Sequence, residues 1–264
     1  MSKKRATSSA PFLIDSRQTP SFPPTRLAMR EPNGLLAISF SLSVPWLLAA
    51  YRQGIFPWSS EDEPIMWWSP APRTVLFTDQ IKLRRSLRQV MRQQEWQLSF
   101  DQAFDRVLHH CSTIERPGQD GTWLRADLQA ALLQLHQQGY AHSVEVWQQG
   151  RLVGGLYGIA IGRVFFGESM FSLIPNASKI ALVMLAKQLA HWGFEMIDCQ
   201  METPHLLSMG ACNLSREAFE HQLQQGLAQP AIAKPWHFEP ALLNEHHLNH
   251  RINATEGKFY DATP

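Results

Sequence analysis

Ala141-His142-Ser143-Val144-Glu145-Val146-Trp147, then Gln149-Gly150, then the run from Leu152 to Ile161 is the stretch whose reading decides the fold. The first run alternates as a half-buried strand does, the Gln-Gly pair makes a hairpin turn, and the second run returns as an apolar strand. Gly154, Gly155 and Gly158 lie inside that return, and glycine weakens a strand unless a bulge or a close ligand approach requires it. Gly162-Arg163 turns the chain into Val164-Phe165-Phe166, and Gly167-Glu168-Ser169-Met170-Phe171-Ser172 follows as a polar break. Asn176 or Ser178 then caps an apolar helix from Lys179 to Trp192, closed by Gly193. Phe194 to Ile197 opens another strand. A meander, a helix and a further strand predict an α+β domain with a mixed sheet.

That last strand stops at Ile197-Asp198-Cys199-Gln200. Side chains on an extended strand repeat every second residue, so Asp198 and Gln200 are expected on one face, with Cys199 packing on the other. A carboxylate only accepts hydrogen bonds, whereas a carboxamide both donates and accepts. Side by side, Asp198 would hold the Gln200 amide NH2 and leave the amide oxygen for a substrate. Such a pair suits orienting an amine better than attacking anything, although a turn-forming Asp at a strand end is common.

Working outward, residues 1–28 are rich in Ser, Pro and basic residues and read as a flexible arm. Residues 29–72 form a small N-terminal unit, with Ser43 capping a helix that ends near Gly54 and Trp-rich segments bounded by prolines. Residues 73–240 form the larger domain, and 241–264 a His- and Asn-rich tail without periodicity.

A second helix is expected from Ile81 to Gln94, with Leu83, Leu87, Val90 and Met91 on one side. Arg84, Arg88 and Arg92 recur four apart on the adjoining side, flanked by Lys82 and Arg85. Like charges stacked this way repel, so the face points either to an anionic partner such as a phosphate backbone or to a solvated basic surface. A further helix spans Arg125 to Gln138.

With 44% hydrophobic residues, 18% charged residues and nine Trp, the composition is that of a globular protein with an aromatic excess. A formal charge of +1 excludes a uniformly basic nucleic-acid coat. No run of about 18 apolar residues exists, so no membrane helix is expected, and the basic start lacks the apolar core of a signal peptide. Cys111, Cys199 and Cys212 give neither a disulfide framework nor a zinc pattern, which favours a reducing cytoplasm. Glu168 at a strand end reads either as functional or as a salt-bridge partner of Arg163. His142 and His205 lack local partner patterns and read as structural, and His246, His247 and His250 lack a carboxylate or Cys to complete a metal site. Ser169 has no Gly-x-Ser-x-Gly context, and no Gly-Lys-Ser/Thr follows the glycines from 154 to 162.

These residues resemble a known family, the bacterial leucyl/phenylalanyl-tRNA–protein transferases. The resemblance runs from about Arg30 to Phe219. It rests on Arg30-Glu31-Pro32-Asn33-Gly34-Leu35-Leu36-Ala37, Gly54-Ile55-Phe56-Pro57-Trp58, Trp67-Trp68-Ser69-Pro70 and Gly121-Thr122-Trp123. It continues through the Ala141–Trp147 and Leu152–Gly158 runs, Gly167–Ser172, Asn176–Lys179, Ile197–Gln200 and His205–Ala211, where Met209 stands at a position the family often gives to Leu.

The resemblance implies a small N-terminal α/β domain followed by a GNAT-like acyltransferase domain. It implies transfer of Leu or Phe, and less readily Met, from aminoacyl-tRNA to the α-amine of proteins beginning with Arg or Lys. The product would carry a signal for bacterial N-end degradation. Partners would be Leu-tRNA, Phe-tRNA and those proteins, with no DNA, no membrane, no metal and no cofactor. In the family's proposed mechanism Asp198 orients Gln200, which accepts a hydrogen bond from the amine, while Glu168 attracts the cationic acceptor side chain. The aminoacyl pocket would be walled by Trp58, Trp123, Leu156, Met170, Phe171 and Ile197, and Lys82, Arg84, Arg85, Arg88 and Arg92 would hold tRNA phosphates. Two rivals make different demands. A CoA-dependent acetyltransferase would need Arg/Gln-x-x-Gly-x-Gly/Ala before a helix, which is absent here, and a non-catalytic tRNA-binding protein would not need the Asp198/Gln200 pair.

Overall fold

A computed structural model describes residues 10–93, 95–114, 124–246 and 248–250. A small sheet comes first: β1 (Phe12–Leu13), β2 (Leu35–Ser39), β3 (Phe56–Pro57) and β4 (Ile65–Trp68), in the order β1-β2-β4-β3. Helix α1 (Val44–Tyr51) connects β2 to β3. Residues 10–28, expected as a flexible arm, belong to this layer. β1 pairs parallel to β2, and the buried Phe22 ring packs edge-on to Trp46 and Trp67 at 5.2 and 5.0 Å. Averaging over a Ser/Pro-rich stretch hides single apolar anchors such as Phe12, Ile14 and Phe22.

The chain then enters an eight-stranded sheet through β5 (Arg73–Phe77). Helix α2 (Arg85–Gln93), β6 (Gln97–Phe100), α3 (Phe104–Thr113) and α4 (Ala126–Gln137) precede the meander β7 (Ala141–Gln148), β8 (Arg151–Ile161) and β9 (Val164–Ser172). After it come α5 (Ala177–His191), β10 (Met196–Gln200), α6 (Pro204–Met209), β11 (Cys212–Leu214), α7 (Arg216–Leu227), α8 (Pro240–Glu245) and β12 (Asn249–His250). The spatial order is β11-β5-β10-β9-β8-β7-β6-β12, with β9/β10 and β6/β12 parallel and the other pairs antiparallel. The mixed sheet expected from the sequence is therefore present.

The hairpin turn at Gln149-Gly150 has both φ angles positive, 50° and 75°, which matches the right-handed strand twist. The glycines of β8 answer to packing. A Cβ on Gly154 would lie 2.4 Å from the Ala177 Cβ, so α5 sits directly on the strand there. Helices α3 and α4 cover the opposite face, together with residues of the small sheet.

Three expectations change. The polar stretch 167–172 does not break β9, which runs on to Ser172. Helix α2 starts at Arg85 rather than Ile81, although the Arg84 carbonyl accepts from the Arg88 N–H, so Arg84 keeps the helical register while Lys82 lies outside it. The tail is not featureless: α8 and β12 extend past residue 240, and the preceding segment packs Trp236 and Phe238 against Phe100. His142 is buried there, its Nδ1 2.7 Å from Asp101 Oδ2 and its ring stacked on Trp236, so it is structural. Glu145 is buried too, held by the hydroxyls of Ser99 and Ser143, and burial pushes its carboxyl up to about 7.

Because the Gly154 contact is already tight, Gly154→Ala is expected to destabilise the protein by about 1–3 kcal/mol through overpacking. A denaturant titration reads this as a lower midpoint at unchanged slope; an unmoved midpoint would mean that α5 shifts freely from β8.

Candidate active site

β9 and β10 run parallel and share hydrogen bonds only as far as Phe166 and Asp198. Beyond those residues each strand carries an irregularity. On β9 the register against β8 passes from Gly167, opposite Gly158, to Ser169, opposite Tyr157, leaving Glu168 as the extra residue. On β10 the register against β5 passes from Asp198, opposite Val75, to Gln200, opposite Thr74, leaving Cys199 as the extra residue. A bulge of this kind re-aims side chains. Gln200 takes φ +64°, a conformation uncommon outside glycine.

The two bulges bring Glu168 and Gln200 together. Gln200 Nε2 donates to Glu168 Oε1 at 2.6 Å, and both residues line a cavity. The expected Asp198 contact to the Gln200 side chain is not made. Strict two-residue alternation fails across the bulge, and Asp198 is 0% exposed with its carboxylate occupied elsewhere. Asp198 Oδ1 accepts from the Gln200 backbone N–H at 2.9 Å and from Arg73 Nε at 2.8 Å, while Oδ2 accepts from Arg73 Nη2 at 2.7 Å. The Arg73 guanidinium stands over the rings of Phe56 and Phe219, its central carbon 4.7 and 4.8 Å from their centroids.

Glu168 is half-buried, and Arg163 does not pair with it. Arg163 donates to the Trp192 carbonyl and stands over the Phe194 ring. Burial pushes the Glu168 carboxyl up to about 7; the Asp198 charge adds to the shift, while Tyr51, Gln200 and Arg73 oppose it. The buried Tyr51 hydroxyl is close enough to favour the carboxylate but is not aligned for a full hydrogen bond. Two acids thus sit near each other in different states: Asp198 locked in an ion pair, Glu168 poised near neutrality.

A cavity of about 340 Å³ opens at this point. Of the expected walls, Trp58, Leu156, Met170 and Ile197 line it. Phe171 does not: neighbouring residues of a strand face opposite ways, and its buried ring stacks on His110 at 4.7 Å beneath α3. Trp123 lies outside the described residues. Phe56, Tyr157, Phe165, Leu182, Leu185 and Cys199 are further wall residues. Leu182 and Leu185 look like any core leucines of an apolar helix, so nothing in the pattern marks them. Cys199, expected to point away, is turned inward by the bulge, and burial raises its thiol pKa, which leaves it an inert neutral wall. His205 sits half-buried at the rim, its pKa lowered by burial and by Lys179.

Lys82, Arg84, Arg85, Arg88 and Arg92 are all exposed, with Leu87 and Met91 of α2 facing the core. The Lys82 N–H donates to the Met209 carbonyl at the end of α6, whose first turn supplies rim residues His205 and Leu206. The basic segment is therefore one short helix away from the cavity mouth. Among the described residues no cluster of three or more His, Cys, Asp and Glu could hold a metal ion, and no helix is long and apolar enough to cross a membrane.

The family model described as leucyl/phenylalanyl-tRNA protein transferase matches residues 75–224, and that of the N-terminal domain of the same family matches 40–71. The leucyl/phenylalanyl-tRNA–protein transferase of Hydrogenovibrio crunogenus is 56% identical over 229 residues, covering 87% of this chain and 89% of that protein. That of an Azoarcus species is also 56% identical, over 226 residues, covering 86% and 94%. Solved structures overlap more loosely: L-PGS from Bacillus licheniformis gives a TM-score of 0.36 at 9% identity, covering 64% of this chain and 54% of that one. Apart from Arg73, which stands between the two matched spans, the site described above falls within the matched residues, and the chain belongs to the leucyl/phenylalanyl-tRNA–protein transferase family.

Proposed function

We propose that this aminoacyltransferase moves Leu or Phe, and less readily Met, from aminoacyl-tRNA to the α-amine of proteins that begin with Arg or Lys, creating an N-end degradation signal in the cytoplasm. The observation that carries the reading is Gln200, held by Glu168 at the mouth of an apolar cavity with its amide oxygen free. An α-amine has a pKa of about 8, so about a tenth is already the neutral nucleophile at pH 7 and a modest push supplies more. The amine nitrogen forms a bond to the ester carbonyl carbon, the carbon–oxygen bond to the ribose breaks, and the proton lost by nitrogen ends on the ribose oxygen. Gln200 is no base. It accepts a hydrogen bond from the amine and so aims the lone pair, a positioning effect, while the neighbouring ribose hydroxyl is the nearest relay for the proton.

The cavity would take the aminoacyl side chain. Its walls are apolar and unbranched substrates fit by shape at Cβ, whereas size alone would discriminate by only about 1–3 kcal/mol per methylene. Glu168 stands where a cationic acceptor side chain would arrive, and Lys82, Arg84, Arg85, Arg88 and Arg92 offer a face for phosphates that adds affinity without reading sequence.

The decisive assay mixes purified protein with labelled Leu-tRNA and a peptide beginning with Arg, without ATP or CoA. Label moves to the peptide if the reading holds; well-folded protein that transfers none would sink it. Glu168 loses its proton as pH rises through about 7, so kcat/KM for the peptide should climb through that value and again as the amine deprotonates. Glu168→Gln is expected to erase the lower inflection and leave the upper one. Neutralising Arg84, Arg88 and Arg92 together should raise KM for Leu-tRNA with little change in kcat. The slope of log affinity against log salt should flatten by about 2–3, on the order of one unit for each phosphate no longer neutralised.

A further inference from the structure

Arg73 opens β5 as the chain leaves the small sheet, and its side chain is 1% exposed. A guanidinium keeps its charge at any working pH, so burying one demands a partner and a fixed geometry. Both are present. The Asp198 carboxylate meets it with two hydrogen bonds of 2.8 and 2.7 Å, and the Phe56 and Phe219 rings both lie against its central carbon. The same Oδ1 that Arg73 holds is the atom that accepts the Gln200 backbone N–H. Gln200 needs that bond, because its left-handed backbone is disfavoured for a residue with a Cβ.

We infer that Arg73 is a positioning residue of the transfer reaction: it fixes the Asp198 carboxylate, which fixes the Gln200 backbone and so aims the amide oxygen at the amine. This inference rests on the reading that Gln200 receives the amine. Arg73 touches no substrate. It acts along a chain of three contacts, of which the first two are an ion pair and a carboxylate-to-backbone hydrogen bond, and the third is the Gln200 to Glu168 bond across the gap between strands. Phe56 also lines the cavity, so any effect on substrate fit appears in KM, and the rate at saturation isolates the effect on aim.

The test is a double-mutant cycle on the transfer rate at saturating Leu-tRNA and Arg-peptide. Arg73→Lys keeps the charge but cannot make the planar paired contact; the expected loss is on the order of tenfold to a hundredfold, with melting temperature close to that of the parent. In the Gln200→Ala background, the same substitution should cost less than about twofold further, because the residue it aims is already gone. Losses that multiply would overturn the inference and leave the role of Gln200 standing. A Gln200→Ala enzyme with the full rate would overturn both. If Arg73→Lys fails to fold, Phe219→Leu enters the same cycle, since it removes one of the two rings against the guanidinium and leaves the ion pair. A smaller loss, about threefold to tenfold, that disappears without Gln200 supports the inference; no loss, or a loss that persists, overturns it.

Discussion

The end of pairing between two parallel strands governs the rest of this site. Once β9 and β10 part beyond Phe166 and Asp198, their backbone groups lose the sheet partners that buried polar groups require. Two of them are met locally. The Gln200 N–H goes to the Asp198 carboxylate, and the Met201 N–H closes a tight turn onto the Cys199 carbonyl at 2.7 Å. The gap would otherwise fill with core side chains. Instead the two bulges turn Glu168 and Gln200 into it, and their mutual hydrogen bond spans the gap where backbone bonds stopped. The cavity beside them draws Tyr157 and Phe56 from one core and Leu156, Phe165 and Ile197 from the other, as an opening through the sheet must.

The charges follow from that geometry. A single buried carboxylate at Asp198 would be intolerable, and Arg73 neutralises it in place. Glu168 beside that pair is raised to about 7 chiefly by its own burial, with the Asp198 charge adding to the shift and the Arg73 charge opposing it. Two acids from neighbouring strands therefore serve different ends: one is structural scaffolding for a backbone turn, the other a proton-sensitive group at the mouth.

Much of the frame is readable from residue order, because it rests on local signals. The Gln149-Gly150 turn, the glycine stop at Gly193 and the apolar helix between Asn176 and Trp192 each state their own geometry. The motif resemblance likewise agrees with the family matches over 40–71 and 75–224, although its first motif, Arg30 to Ala37, precedes them. What fails is alternation across a bulge. Nothing in Asp198-Cys199-Gln200 announces an extra residue, so strict alternation assigns the amide to the wrong carboxylate and Cys199 to the wrong side. Arg73 goes unmarked in the sequence because a partner 125 positions away leaves no local trace. The arm and the tail mislead for the opposite reason: their average composition is polar, yet Phe22, Trp236 and Phe238 each anchor a segment to the core.

The position of the basic segment bears on how such a small cavity could serve so large a donor. Lys82 is tied by its backbone to the C-terminal end of α6, and the N-terminal end of α6, capped by Thr203, carries the rim residues. A donor whose phosphates rest on Lys82 and the arginines of α2 would have its terminus led along α6 toward Gln200. Binding energy gathered on that exposed face, where charge contacts are strong in number and poor in geometry, would then be used at a distance from where it is gained. The buried half of the site carries the opposite balance, with few contacts held to tight tolerances: one ion pair, one backbone turn and one amide. On the proposed function, affinity and aim would be separated along a single short helix, so that each could change without the other.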